Sequence, residues 1–303
     1  MQYRYRFLAV AGVVMTVAVV LMVTLGLKPA IDFTGGAVIE VQSAQLREQE
    51  YRAEIESAFL NQGLELTTAQ STEEDRILLK SKPVSREQWE LVKESLKEKY
   101  DDLEEISFET VGPVLGQEIL TKTMMGVVIA IVLLMIYIGW RFKDFKYGVT
   151  AIVALFHDLL VVVGSFALFG YLWGVEVDVM FVTATLTALA FSVHDTIVVY
   201  DRVREMLRRN PQDDFKDVVN LAINSTLVRS LSTSLSIVFV LVALALLGGQ
   251  SVFWFVIALL IGTVSGTYSS PFLAVPLLSV WVEWRSDRSA HRVKLDSGRA
   301  KLD

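Results

Sequence analysis

The chain has 303 residues, 53% of them hydrophobic and 20% charged, with a formal net charge of −6 and a mean hydropathy of +0.47. That balance is too apolar for a water-soluble protein of this length and points to several membrane spans. The absence of cysteine excludes disulfides, iron–sulfur clusters and thiolate zinc sites, and three histidines make a metal centre a poor reading.

Arg4 and Arg6 precede an uncharged run over residues 7–27. At about 1.5 Å per residue this run crosses a bilayer core of about 30 Å. A secretory signal is the rival reading, but its apolar part is normally about 7–15 residues and ends in a small-x-small site. Here the run is longer and ends Leu25-Gly-Leu-Lys-Pro29, so a retained first span is expected.

Residues 28–122 form the long polar block, with 20 Asp/Glu against 11 Lys/Arg. The pattern predicts a strand at 37–41, a helix at 45–61, strands at 64–69 and 76–81, a helix at 86–100 and a strand at 106–111. Apolar spacing at Ile55 and Phe59, and at Trp89, Val92 and Leu96, supports the two helices. Ser85 with Gln88 makes a capping box at the start of the second. The order β-α-β-β-α-β is that of a ferredoxin-like α+β domain, which needs no cofactor and shows no catalytic constellation. Asp32-Phe33-Thr34-Gly35-Gly36 precedes this domain and Gly112-Pro113 follows it, reading as hinges at the domain junction, with glycines suited to tight turns or close approach.

Five further spans are expected, at 123–139, 147–171, 179–200, 226–247 and 252–281, so that 123–281 is a five-helix bundle and 282–303 a basic tail. Alternating sides from the N-terminus gathers residues 1–6, 141–146, 201–225 and 282–303 on one face, with 16 of the 17 basic residues outside the polar block. The positive-inside rule places that face, and both termini, in the cytoplasm. The polar domain then lies outside, its length exempting it from the rule.

The chemically informative stretch is 191–205, where Asp195 stands inside apolar sequence and a basic helix from Arg202 to Arg209 is expected to follow. A carboxylate at a helix centre costs about 2.5–3.5 kcal/mol to insert, so it is expected to face protein, a partner charge or water. Arg229, just inside the fifth span, falls at a similar depth, and Ser225, Arg229, Ser232 and Ser236 form a polar stripe expected to turn from lipid. Against a proton-carrying role stand two plainer readings: Arg229 snorkelling to headgroups and Asp195 held in a permanent ion pair. Asp158 lies deeper and is a second proton-path candidate. His157 and His194 are expected on other helix faces than the acids beside them, so neither pair makes a dyad, and the zinc spacings are absent. Thr183 and Thr187 share the Asp195 face. Gly262 and Gly266 form a small-xxx-small packing surface on the last span. Arg202, Arg204, Arg208 and Arg209 are expected to meet anionic headgroups rather than nucleic acid. No phosphate-binding glycine loop or nucleophile motif occurs, so no ATP use, cofactor or enzymatic activity is expected.

Asp32-Phe-Thr-Gly-Gly36, Val111-Gly-Pro113, His194-Asp-Thr-Ile-Val-Val-Tyr-Asp-Arg202 and Gly266-Thr-Tyr-Ser-Ser270 together resemble the motifs of the SecF branch of the SecD/SecF family. These bacterial protein-export membrane proteins belong to the resistance–nodulation–division superfamily, and the resemblance covers essentially the whole chain. It implies a six-span half of that superfamily's fold in the cytoplasmic (inner) membrane. The implied partners are SecD from another polypeptide, the SecYEG translocon with the SecA motor, the exported unfolded polypeptide and membrane lipid, with proton motive force as the energy source. It also implies that Asp195 and Arg229 match positions implicated in proton conduction, and that Asp158 sits in a recurrent His-Asp pair. His194 departs from the Asn that commonly precedes the acid, and so joins the proton-path candidates. The alternatives are a small-molecule or lipid exporter of the same superfamily, and a translocon scaffold without proton coupling.

Overall fold

The computed structural model describes residues 1–43, 51–73, 75–142 and 144–284. Two compact units emerge, one of Pro29–Gly126 and the other of Met1–Lys28 with Val127–Asp303.

The smaller unit begins with a helical turn, α2 (Ile31–Thr34), after the first span α1 (Arg4–Leu25). It continues β1 (Gly36–Gln42), α3 (Tyr51–Asn61), β2 (Leu66–Glu73), β3 (Arg76–Ser81), α4 (Arg86–Lys97) and β4 (Glu104–Val111). The predicted helix at 45–61 is present from Tyr51; its earlier part lies outside the described residues. The sheet runs β2-β3-β1-β4 with antiparallel pairing throughout, the ferredoxin-like order. Alternation along the strands buries Ala37, Ile39 and Val41 of β1 and Ile77 and Leu79 of β3. They meet Ile55 and Phe59 of α3 and Trp89, Val92 and Leu96 of α4. At the start of α4, Ser85 Oγ accepts from the Gln88 N–H (3.2 Å) and Gln88 Oε1 accepts from the Ser85 N–H (3.0 Å). Such a cap is worth about 1 kcal/mol.

The larger unit holds α1 and the helices α6 (Phe145–Trp173), α7 (Val179–Arg209), α8 (Phe215–Leu247) and α9 (Gln250–Ser269), with the later part of α5 (Pro113–Arg141). Among the described residues, six helices are long and apolar enough to cross a membrane, the last running on to Trp284 through a π-helical turn at Ser270–Ala274. Pro271 explains that turn: it has no N–H to donate, so the ladder opens, and the Ser269 and Ser270 hydroxyls both donate to the Gly266 carbonyl at 3.3 Å.

Helix α9 packs along α7, α8 and α6, and α1 lies on α6. By contrast α5 presents Val128, Ile129, Leu133 and Ile136 outward and buries only Ile138 among its described side chains. Three helices are longer than their apolar cores. α5 starts at Pro113, where a fixed φ and a missing N–H suit the first helical position. α7 runs on through the basic segment to Arg209, and α8 starts at Phe215.

Ion pairs tie the arginine-bearing helix ends together: Arg4 to Glu283, Lys216 to Glu283 at 2.6 Å, and Arg141 to Asp201. Phe142 and Tyr147 stack there with Tyr200 edge-on to both, and Tyr200 OH donates to the Ala274 carbonyl at 2.9 Å. At the other end Phe166, Phe169, Trp173 and Trp254 form an aromatic girdle of the kind that marks a membrane–water boundary.

Candidate functional site

Polar groups converge where α6, α7, α8 and α9 meet. Small residues let the helices come close: a methyl on Gly262 would stand 2.3 Å from Ala188 Cβ, and one on Gly266 2.8 Å from Ser192 Cβ. The two glycines of α9 are thus seated on α7 at matching four-residue intervals.

Asp158 of α6 is buried, with both oxygens engaged. Oδ1 accepts from Ser265 Oγ (2.6 Å) and lies 3.0 Å from His157 Nδ1; Oδ2 accepts from Ser269 Oγ (2.8 Å) and from Ser192 Oγ. His157 is fully buried, and its Nε2 lies 2.9 Å from Tyr268 OH. This corrects the expectation that consecutive residues cannot meet. With α6 enclosed by neighbours, both side chains stay inside and the carboxylate reaches its own neighbour's ring. His194 follows the expectation: it is exposed, while Asp195 turns toward the bundle.

Asp195 of α7 is half-buried. Its Oδ1 accepts from Ser230 Oγ of α8, while Oδ2 is shielded from solvent and has no hydrogen-bond partner among the described residues. Ser270, His194 and Asp158 are its other polar neighbours. Ser270 also lies 2.8 Å from Thr196 Oγ1, so the π-helical turn supplies a hydroxyl beside the acid.

Arg229 does not pair with Asp195. It is exposed, and among the described residues it forms no ion pair. Equal depth was a sound inference, but depth leaves rotation open. Consecutive helix residues are turned by about 100°, and the seam of α8 runs through Val218, Ala222, Thr226 and Ser230. The acid therefore meets Ser230, one residue past the arginine. The stripe Ser225, Arg229, Ser232 and Ser236 lies on the exposed face, where Ser232 and Ser236 donate to carbonyls of their own helix. Thr183 and Thr187 are also exposed and bond back to α7.

The two flanking motifs meet within the smaller unit. Gly35 is left-handed (φ 72°), and a methyl there would stand 2.8 Å from Pro113 Cα. A methyl on Gly116 would stand 2.8 Å from Gly35 N. Asp32, Phe33 and Thr34 lie in α2, with Phe33 buried, and Gly36 opens β1. Gly112 and Pro113 carry the backbone from β4 straight into α5. This is a close crossing of two backbones that only glycine permits.

Sequence reasoning gave no role to Ser192, Ser230 and Ser265, and Tyr268, Ser269 and Ser270 entered only as part of the Gly266–Ser270 motif. The signal was present as hydroxyl residues at three- and four-residue spacing inside apolar helices, the pattern of one face turned from lipid.

Fold and site define an integral membrane protein of six spans with a ferredoxin-like extramembrane domain and a polar seam at its core. Residues 91–284 match the model of the protein export membrane protein SecD/SecF C-terminal family, and residues 20–45 match the SecD/SecF GG motif. Protein translocase subunit SecF of Thermobaculum terrenum is 38% identical over 92% of both chains. SecF of Synechocystis is 39% identical over 88% of this chain and 86% of its own. The crystal structure of SecDF, a translocon-associated membrane protein from Thermus thermophilus, superposes with a TM-score of 0.81 at 29% identity. The match covers 93% of this chain and 38% of that longer one. The chain belongs to the SecD/SecF family of protein export membrane proteins.

Proposed function

We infer that this chain serves as the SecF-type subunit of the bacterial protein-translocation machinery, using the proton gradient together with SecD to help draw exported proteins across the cytoplasmic membrane. The family and the translocase relatives support the export role. In this reading the arginine-bearing helix ends and both termini face the cytoplasm. The Pro29–Gly126 unit lies outside, where emerging polypeptide passes, and SecYEG with SecA delivers that polypeptide.

One observation carries the proton reading: among the described residues, Asp195 Oδ1 accepts from Ser230, while Oδ2 is sheltered and has no hydrogen-bond partner, with the Ser270 hydroxyl nearby. A proton can add there without displacing a donor. Each charge moved is worth about 2.3 kcal/mol per 100 mV, enough to bias a conformational step. Asp158, His157 and the serines around them form the fixed polar wall beside this site. Arg229 lies on the exposed face of α8, so its share in the route depends on the SecD partner or on rotation of α8.

The test is Asp195→Asn reconstituted with SecD, SecYEG and SecA in vesicles. Membrane insertion and SecD association are expected to be unchanged, while the proton-dependent part of export is lost. Normal proton dependence in that variant overturns the reading.

A further inference from the structure

A cavity of about 930 Å³ opens among the arginine-bearing ends of α5, α7 and α8. That is the upper end of the usual range for ligand sites, about 300–1,000 Å³. Its walls carry Arg141, Arg202, Arg204, Arg208, Arg209 and Arg229, against two carboxylates, Asp201 and Glu205. The carboxylates are already committed: Asp201 to Arg141, and Glu205 to Arg202 (2.8 Å) and Arg209 (2.6 Å). Arg204, Arg208 and Arg229 make no ion pair among the described residues. The cavity therefore carries four more positive than negative groups at the edge of a membrane bundle, with its acids already holding three of the guanidinium forks in place.

We propose that this cavity binds the phosphate of an anionic phospholipid from the leaflet on that side. Guanidinium groups bind phosphate oxygens through paired N–H donors, and basic pockets between membrane helices suit anionic headgroups. The choice of a lipid over a soluble phosphate rests on what adjoins the cavity. On α5, Leu133, Ile136 and Tyr137 lie within about two turns of Arg141; on α8 the cavity face continues through Ser232 and Ser236, and Val228, Leu231 and Leu235 stand on the helix faces beyond it. All six are exposed apolar side chains on spans, a surface that suits acyl chains once the headgroup is seated.

Native mass spectrometry of the purified full chain tests this by titration with phosphatidylglycerol, phosphatidylcholine, glycerol 3-phosphate and inorganic phosphate. Phosphatidylglycerol is expected to be retained over phosphatidylcholine. Arg204→Gln with Arg208→Gln is expected to weaken its binding on the order of 30-fold, from about fivefold per basic residue. Neither arginine holds an ion pair among the described residues, and an unchanged melting temperature without lipid checks that the variant is intact. A control variant, Arg6→Gln with Lys146→Gln, alters charges outside the cavity and is expected to change binding less than threefold. An equal loss in both variants, or none in the first, overturns the site. Retention of inorganic phosphate or glycerol 3-phosphate as tight as that of phosphatidylglycerol overturns the lipid assignment.

Discussion

Asp158 and Asp195 lie in the same bundle, on helices packed against each other, and are set up differently. Asp158 is closed: three serine hydroxyls and an imidazole occupy its lone pairs, and Tyr268 completes the imidazole's own bonding. Protonating it would displace a donor and leave a buried polar group unsatisfied, at about 1–3 kcal/mol each. Asp195 is open: one hydroxyl on one oxygen and, among the described residues, no hydrogen-bond partner on the other. Under the proposed function it is the number of donors already on each acid, and not its place in a membrane helix, that separates carrier from wall.

The strongest way to break this comparison is Asp158→Ala. It strands three hydroxyls and a histidine, and a loss of about 3–5 kcal/mol is expected in unfolding of the purified chain in micelles. A loss below about 1 kcal/mol would mean that the network is not structural. Next comes the seam that both acids share. Gly262→Val drives a side chain into Ala188, and about 1–3 kcal/mol of overpacking is expected in the same measurement. An unchanged stability would show a looser α7–α9 contact. Asp195→Asn sharpens the contrast from the other side: stability should stay within about 1 kcal/mol of the parent, because only one donor is affected and an amide oxygen still accepts from Ser230. A loss as large as that of Asp158→Ala would make Asp195 structural too.

The smallest effect concerns a third carboxylate, outside the membrane helices. Burial pushes the Glu105 carboxyl up, but Arg86, Lys93 and Trp89 donate to it and hold it at about 2, against an ordinary 4.5. Because the folded value is depressed, its contribution is fully present above pH 4.5 and fades as pH falls toward 2. Hydrogen-exchange protection of β4 should weaken across that window by less than about 1 kcal/mol, and Glu105→Gln should flatten the dependence. Equal slopes in parent and variant would leave the closed-acid principle without support outside the bundle.

Much of the architecture was legible because it rests on periodicity and hydropathy. Six apolar runs became six helices, and the alternation at Ala37–Val41 and the spacing of Trp89, Val92 and Leu96 became the buried faces of β1 and α4. Helix ends were harder where charge and helix coincide. Arg202–Arg209 reads as a basic helix beyond the span, and α7 runs through it to Arg209 without a break, because charge costs a helix nothing. The site was half legible. A carboxylate in an apolar run is visible at once, as Asp158 and Asp195 were. Which side chain it faces depends on helix rotation, and the choice between Arg229 and Ser230 turns on one residue. The π-helical turn was invisible to periodicity, although Pro271 four residues past Thr267 was its cue.

The knot of Arg4, Glu283 and Lys216 bears on biogenesis. Arg4 and Glu283 are separated by nearly the whole described chain, so this ion pair forms only once the ribosome has delivered the last span, whereas the Met1 amino group can already meet Asn220 of α8. Until then α1 has α6 to lean on, but its arginine waits in the interface without its acid. The Arg4–Glu283 latch is therefore among the last contacts the chain can make, and a nascent chain stalled before residue 283 lacks it.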